Sequence, residues 1–392
     1  MVAFVASAVF IRRLTGAVWH IPARTARPLA TCMSWNSCAG VRRPPDRGAS
    51  QCLSSTPRYQ LLLEVSGVFT LRFDMRAPET GAPATELYAA ALEMASWAES
   101  RGCLSALLCE HHMASDGYLP APLTLASAMA ARTSTLTIMI AIVILPLHDP
   151  VQLAEELAVL DIISKGRVMH VMAIGYRPAE YEMYGVDYHR RGRIADEKIE
   201  VLLRAKTGEA FEYQGRRIQV TPAPVTPGGP MVSWGGGSIA AARRAGRNGI
   251  GFFAQKGDPE LRVAYEEAAR AAGHEPGMCV LTPDDATTTM FVAEDVDAAW
   301  EELGPYLMHD VRSYAAWNEG NTGTASLSFV ETAEELRREN RSHRILSVPE
   351  AIEHVRAGAP LGLHPLIGGL PPEIAWRYLK VVDEQVMPAL AR

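Results

Sequence analysis

LTIMIAIVILPLHDPVQLAEELAVLDIISKGRVMHVMAIG, residues 136–175, decides how the chain folds. Leu136–Leu145 is a continuous apolar run rich in Ile and Val. It reads as a strand buried on both faces, because a half-exposed strand would alternate apolar with polar residues. Asp149-Pro150 then places a capping carboxylate before a proline in the first helical turn, and the helix runs to Lys165 with Gly166 just beyond. Val168–Ile174 is a second buried strand. Together they form a strand–helix–strand unit.

The same alternation extends in both directions from residue 66. The other strand candidates are Val68–Met75, Leu104–Cys109, Met231–Trp234, Ile250–Ala254, Thr287–Val292 and Leu361–Pro365. Helices are expected over Glu86–Ser100, Ala121–Ala131, Ile194–Arg204, Ser238–Arg247, Pro259–Ala272, Val296–Leu303, Pro349–Arg356 and Pro372–Val386. Eight strands, each followed by a helix, count out an α/β (β/α)8 TIM barrel. A doubly wound sheet is the alternative, but it would not usually need eight such units. Two insertions interrupt the count. Gly208–Pro224, before strand five, contains FEYQGRRIQV, a hairpin turning at Gly215. Glu294–Ala359, between strands seven and eight, is expected to hold several helices and the polar loop Asn318–Thr324, as a lid or a surface excursion.

Composition narrows the function classes. Apolar residues are 48% and charged residues 21%, so the chain is neither disordered nor fibrous. The net charge of −6 argues against a nucleic-acid binder steered by phosphates. A membrane span is not expected, because no stretch of 18 apolar residues is free of charge. The six cysteines fit neither a zinc pattern nor a disulfide framework, which suggests a reducing, cytoplasmic setting.

The charge is uneven. Residues 1–63 carry eight arginines, no lysine and one acid, Asp46, a net of +7 that leaves −13 on residues 64–392. This leader lacks helical or strand period, so the folded domain is expected over 64–392. A transit peptide fits it better than a secretory signal, whose positive charges come first. An upstream start codon fits equally well.

In such a barrel the site lies on the loops after the strands. Strand two is followed by Glu110-His111-His112, strand three by His148-Asp149 and strand four by Gly175-Tyr176-Arg177. Strand five runs into Gly235-Gly236-Gly237-Ser238, strand six into Gln255-Lys256 and strand eight into His364-Pro365. Neighbouring side chains at a strand end point apart, so His111 and His112 are not expected to share a metal. One imidazole facing the mouth suits proton transfer or hydrogen bonding to a polar ring; a supporting structural role is the competing reading. Gly236, Gly237 and Ser238 open a helix whose N-terminus favours an anion, although a tight turn would look the same. Tyr176 and Arg177 could hold a ring edge or a second acidic group.

As a set, these strings resemble the bacterial luciferase-like flavin monooxygenases, a family that includes F420-dependent members. EHHMASDGYLPAPLTLASAMAART (110–133), ILPLHDPVQLAEELAVLDIISKGRV (144–168), GYRPAEYEMYGVD (175–187), RGRIADEKIEVL (191–202), GGGSIAAARRAGRNGIGF (235–252) and HPLIGGLPPEIAW (364–376) recur in the family's order. The resemblance implies a TIM barrel with reduced flavin bound across the strand ends and His111 as the catalytic or flavin-ring histidine. It places Gly237 and Ser238 in the phosphate cradle, and a non-proline cis peptide at Ala141–Ile142 beneath the ring. With Glu110, His112, Tyr176, Arg177 and Gly236, these complete the expected cofactor-binding set. Ala173 stands where the family often has glycine.

The activity implied is a monooxygenase that uses reduced FMN and O2 on a small organic substrate, as a homodimer, with a separate flavin reductase as a further partner. An F420-dependent dehydrogenase or reductase on the same barrel is the alternative. A flavin-binding protein without turnover is a third reading, which the intact Glu-His-His string counts against.

Overall fold

The computed structural model describes residues 67–318 and 327–391. The Arg-rich leader and all but the first residue of the Asn318–Thr324 loop lie outside the described residues. All eight expected strands form, usually a residue or two shorter than the apolar runs that announced them. They are β1 (Phe69–Phe73), β2 (Ala106–Leu108), β3 (Ile138–Ile144), β4 (Val168–Ala173), β7 (Met231–Gly236), β8 (Gly251–Ala254), β10 (Thr289–Ala293) and β12 (Leu361–Leu363). Every residue of β3 and of β4 is buried, as their unbroken apolar composition requires. The hairpin before β7 pairs β5 (Phe211–Tyr213) with β6 (Arg216–Ile218) antiparallel, turning through Gln214 and Gly215 at positive φ.

The main sheet is parallel throughout, in the order β11 (His343–Ser347), β10, β12, β1, β2, β3, β4, β7, β8 and β9 (Cys279–Leu281). The eight expected strands therefore run 7-8-1-2-3-4-5-6, the neighbour order of a (β/α)8 barrel. Two short strands flank them: β9 (Cys279–Leu281) beside β8, and β11 (His343–Ser347) beside β10.

The α-helices of six or more residues are α1 (Ala84–Ser100), α2 (Pro122–Arg132), α3 (Pro150–Ser164), α4 (Pro178–Met183), α5 (Arg191–Ala205), α6 (Ile239–Arg247), α7 (Pro259–Ala271), α8 (Val296–Trp317), α9 (Ala333–Glu339), α10 (Val348–Arg356) and α11 (Pro372–Val381). The Asp149 side chain caps α3 by accepting from Val151 N–H at 2.9 Å and Gln152 N–H at 3.0 Å. Lys165 ends the helix at φ +56°, with Gly166 following. Among the described residues no helix is long and apolar enough to cross a membrane.

The structure corrects the sequence reading in the long insertion. It contributes β11 to the main sheet, paired with β10 from Thr289↔His343 to Ala293↔Ser347. The helix expected to stop at Leu303 continues through Gly304-Pro305 to Trp317. Pro305 keeps φ near the helical value, but it lacks the N–H that would bond Glu301 and its ring crowds that residue's carbonyl. The buried stripe Leu303, Leu307, Val311 and Tyr314 outweighs that loss. At Gly304 a methyl would lie 3.0 Å from that of Ala333, so the glycine lets α9 pack closely.

Candidate active site

The β2 strand ends at Leu108, and the next four side chains fan out. Glu110 is buried and acts as a hub. Its Oε1 lies 2.9 Å from His112 Nε2 and 2.8 Å from His148 Nε2, and its Oε2 accepts the Ile144 N–H at 2.6 Å. Burial pushes this carboxyl up, but His148 and His112 together more than offset it and hold it at about 2. His112 Nδ1 is 3.2 Å from the Tyr184 hydroxyl, so both of its ring nitrogens have protein partners. Lys198 pins the loop that carries His148 by donating to the Pro146 and His148 carbonyls at 2.7 and 2.6 Å. Glu110 and His112 thus bind protein groups behind the barrel mouth. Glu110→Gln keeps the volume but cannot accept from both histidines and Ile144 at once. It is expected to cost about 1–3 kcal/mol in urea unfolding, with His148 losing the charge that raises its pKa.

His111 points the other way. Its Nδ1 is 2.8 Å from Glu180 Oε1, which also accepts the His112 N–H at 3.0 Å and Arg177 Nη1 at 3.1 Å. Glu180 comes from α4, a six-residue helix that the sequence reading did not mark. Arg177 further donates to the His112 carbonyl at 2.5 Å, clipping the β2 and β4 loops together. With a carboxylate on Nδ1, the ring hydrogen belongs there, and Nε2 is left as an acceptor, 3.4 Å from the Tyr176 hydroxyl. Burial lowers the His111 pKa to about 4, and the Glu180 contact only partly opposes this, so the imidazole is neutral at ordinary pH. Four aromatic rings box it in: Tyr118 and Trp317 at 4.9 Å between centroids, Tyr176 at 5.4 Å and Tyr314 at 6.2 Å.

One strand over, β3 carries the Ala141–Ile142 peptide, which is cis. Its register against β4 shifts between Ala141 and Val143. Gly175 adopts φ +66°, and a Cβ there would meet Ile144 Cγ2 at 2.9 Å. Ala173 is buried within β4 beside Ile144, so the sheet itself houses its methyl. At the end of β7, Gly236 sits at φ +151°, and a Cβ there would press to 2.8 Å from the Ala241 methyl. Ser238 caps α6, its Oγ accepting the Ala241 N–H at 3.2 Å. The bare backbone of Gly236 and Gly237 leads straight into the helix N-terminus. Arg244 plays no part in that mouth. It is buried against Asp196 at 2.6 Å and stacks 5.0 Å from the Trp234 ring.

Residues 66–362 match the model of the luciferase-like monooxygenase family, which is more than half of the chain. The protein is a luciferase-like monooxygenase family member. One curated relative is limonene 1,2-monooxygenase of Rhodococcus erythropolis, 28% identical over 169 residues, which are 38% of this chain and 44% of that protein. The chain spans less than half the length of the first curated relatives it matches, 38% and 48% of them. Among solved structures, the oxygenating constituent of 3,6-diketocamphane monooxygenase from a Pseudomonas putida plasmid, in complex with FMN, aligns with TM-score 0.60 at 20% identity. That alignment covers 82% of this chain and 98% of the other. An F420-dependent secondary alcohol dehydrogenase aligns with TM-score 0.53 at 17% identity, covering 74% and 89% of the two chains. These neighbours share the TIM-barrel fold.

This luciferase-like barrel also buries a charge cluster that the sequence reading missed. Asp74 and Arg76 follow β1, and both are fully buried. Arg76 pairs with Asp74 at 3.3 Å, with Asp310 of α8 at 3.5 Å and with Asp116. His309 reaches Asp116 at 2.8 Å, His343 reaches Asp310 at 3.1 Å, and His364, flagged from sequence after strand eight, lies 3.5 Å from Asp74. Arg72 donates to the Tyr314 hydroxyl at 3.1 Å, and Tyr314 in turn meets Tyr118 at 2.8 Å. Applied to strand one, the strand-end rule would have found Arg76, whereas Asp74 lay inside the expected strand Val68–Met75. The α8 residues lay hidden behind the expected stop at Gly304-Pro305.

Proposed function

We propose that the protein is a flavin-dependent monooxygenase that uses reduced FMN and O2 to oxidise a small organic substrate. The carrying observation is His111, a buried neutral imidazole whose Nε2 is left as acceptor by Glu180, set in a box of aromatic rings at the end of β2. Reduced FMN supplies, when bound, the electrons that activate O2. The residues present fit that group. The Gly236 cradle has no room for a side chain, and with Gly237, Ser238 and the α6 N-terminus it would hold the phosphate. Ala141, Ile142, Tyr176 and Arg177 would hold the ring. Glu110 and His112 support it from behind by fixing Ile144 and the β2 loop.

His111 would accept or return a proton at Nε2, with Glu180 steadying the ring through Nδ1. The aromatic box keeps water from that nitrogen, which favours oxidation of substrate over waste of reductant. We further propose a cytoplasmic homodimer packed through α2 and α3, where Val159 and Ile163 are exposed, supplied by a separate flavin reductase.

A second reading, an F420-dependent dehydrogenase or reductase, draws on the same cradle, since F420 also carries a phosphate-bearing arm. Equilibrium binding of reduced FMN and of F420 to the purified full chain, followed by oxygen uptake, separates the two. Binding of reduced FMN with oxygen consumption is expected. F420 binding without oxygen uptake would replace the proposal with the dehydrogenase, and binding of neither would leave a barrel without turnover.

A further inference from the structure

Trp317 closes the last turn of α8, and two guanidiniums lie over its indole: Arg177 at 4.0 Å from the ring centroid and Arg76 at 4.6 Å. Both arginines are fixed by other partners. Arg177 is tied to Glu180 and the His112 carbonyl, and Arg76 to Asp74, Asp116 and Asp310. They form a preset cationic seat, for which an indole face is the best aromatic partner. The seated indole lies 4.9 Å from the His111 ring, 5.4 Å from Tyr314 and 5.9 Å from Tyr118. Tyr118 and Tyr314 are buried, whereas Trp317 and Tyr176 are half-buried. Trp317 is therefore a partly exposed wall of the box.

We propose that Trp317 is a positioning residue for His111: seated on Arg76 and Arg177, it keeps water off the imidazole and so delivers His111 to the reaction as a neutral base. The proposal builds on the role given to His111 above, but the capping itself can be read on the free protein. Among the described residues, the titratable and charged groups facing His111 are Glu180 and Arg177 at the start of α4, Tyr176 ahead of it, Tyr118 from the loop after β2, and Tyr314 from α8, with Arg76 against the Trp317 ring and Asp116 paired to Arg76. All of them remain when Trp317 is shortened. What changes is hydration, the largest influence on this histidine.

The test is an NMR titration of the histidine side chains in the full chain, with His111 assigned by loss of its signal in His111→Gln. Wild type, Trp317→Ala, Trp317→Phe and a control, Trp376→Phe on α11, are compared. In Trp317→Ala the His111 midpoint is expected to rise by about one unit or more, toward the ordinary imidazole value near 6.5. Trp317→Phe should fall between it and wild type, and Trp376→Phe should not move it. Diethylpyrocarbonate should modify His111 faster at pH 6 in Trp317→Ala. A folded Trp317→Ala with the wild-type midpoint and modification rate would overturn the proposal. If the alanine variant does not fold, the same result in Trp317→Phe and Trp317→Leu would overturn it. Failure of the wild type to bind either cofactor would strike the proposed function alone, because the titration does not depend on it.

Discussion

His111→Gln is expected to lower turnover by about 10²–10⁴-fold, the usual contribution of a positioned acid or base, while reduced FMN still binds. Glutamine can donate to Glu180 in place of Nδ1–H, so the clip between the β2 and β4 loops survives. It cannot take a proton where Nε2 does. The pH dependence has a definite sign. The folded pKa of His111 is about 4, against about 6.5 for a free imidazole, so the base is unprotonated across the neutral range. Wild-type activity should therefore stay level from neutrality down to about pH 5 and fall as pH drops through about 4. Stability follows the same direction. Between pH 6.5 and 4 the unfolded chain takes up a proton that the folded chain refuses, so stability falls on acidification across that window. In His111→Gln that slope should be shallower, with the buried His170, also held at about 4 by burial, still contributing. Steady-state rates and urea titrations across the window measure both effects. Undiminished turnover in a folded His111→Gln would remove this residue from the chemistry.

The strands were legible because burial on both faces leaves a strong mark: IMIAIVI in β3 and VMHVMA in β4 have no solvent face to encode. Loop positions of Glu110, His111, His112, Tyr176, Arg177 and Gly236–Ser238 followed from the rule that barrel sites lie after the strands. Their roles did not, because each role is a pairing across long stretches of chain. Glu110 meets His148 over 38 residues, and His111 meets Glu180 over 69. Local rules also failed where tertiary burial overrode them. Gly304-Pro305 reads as a helix stop, yet α8 continues because the stripe beyond it is buried. HRILS with an arginine at its second position does not read as an interior strand, yet it completes the sheet as β11 beside β10. An arginine is ordinarily an exposed residue, so Asp74-Met75-Arg76 after β1 gave no hint that Arg76 has no exposed surface.

Arg76→Met is expected to be among the most damaging single changes in the barrel, at about 3–5 kcal/mol, because it leaves buried carboxylates without their cation. In wild type, burial raises the Asp116 carboxyl, but the His309 contact and the Arg76 charge outweigh it and hold it at about 2. Asp310, through His343, Arg72 and Arg76, and Asp74, through His364 and Arg76, are likewise lowered against burial. Carboxyls with depressed folded pKa values contribute stability that is complete above their unfolded values, near 4, and is lost as pH falls toward about 2. Methionine removes one of the cations that hold these values down. Without the guanidinium the folded carboxyl pKa values rise, although His309, His343, His364 and Arg72 still oppose burial. Part of the stability that wild type holds above about pH 4 is then missing in the variant, and less of it is left to lose below that pH. Wild type keeps its carboxyl contribution down to about pH 4 and loses it below, with the steeper slope. Trp317 would also lose one of its two cationic contacts, leaving Arg177 as its remaining seat. Chemical unfolding at pH 7, pH 4 and about pH 3 reads the difference directly. Parallel slopes for the two proteins would show that Arg76 does not hold the cluster together.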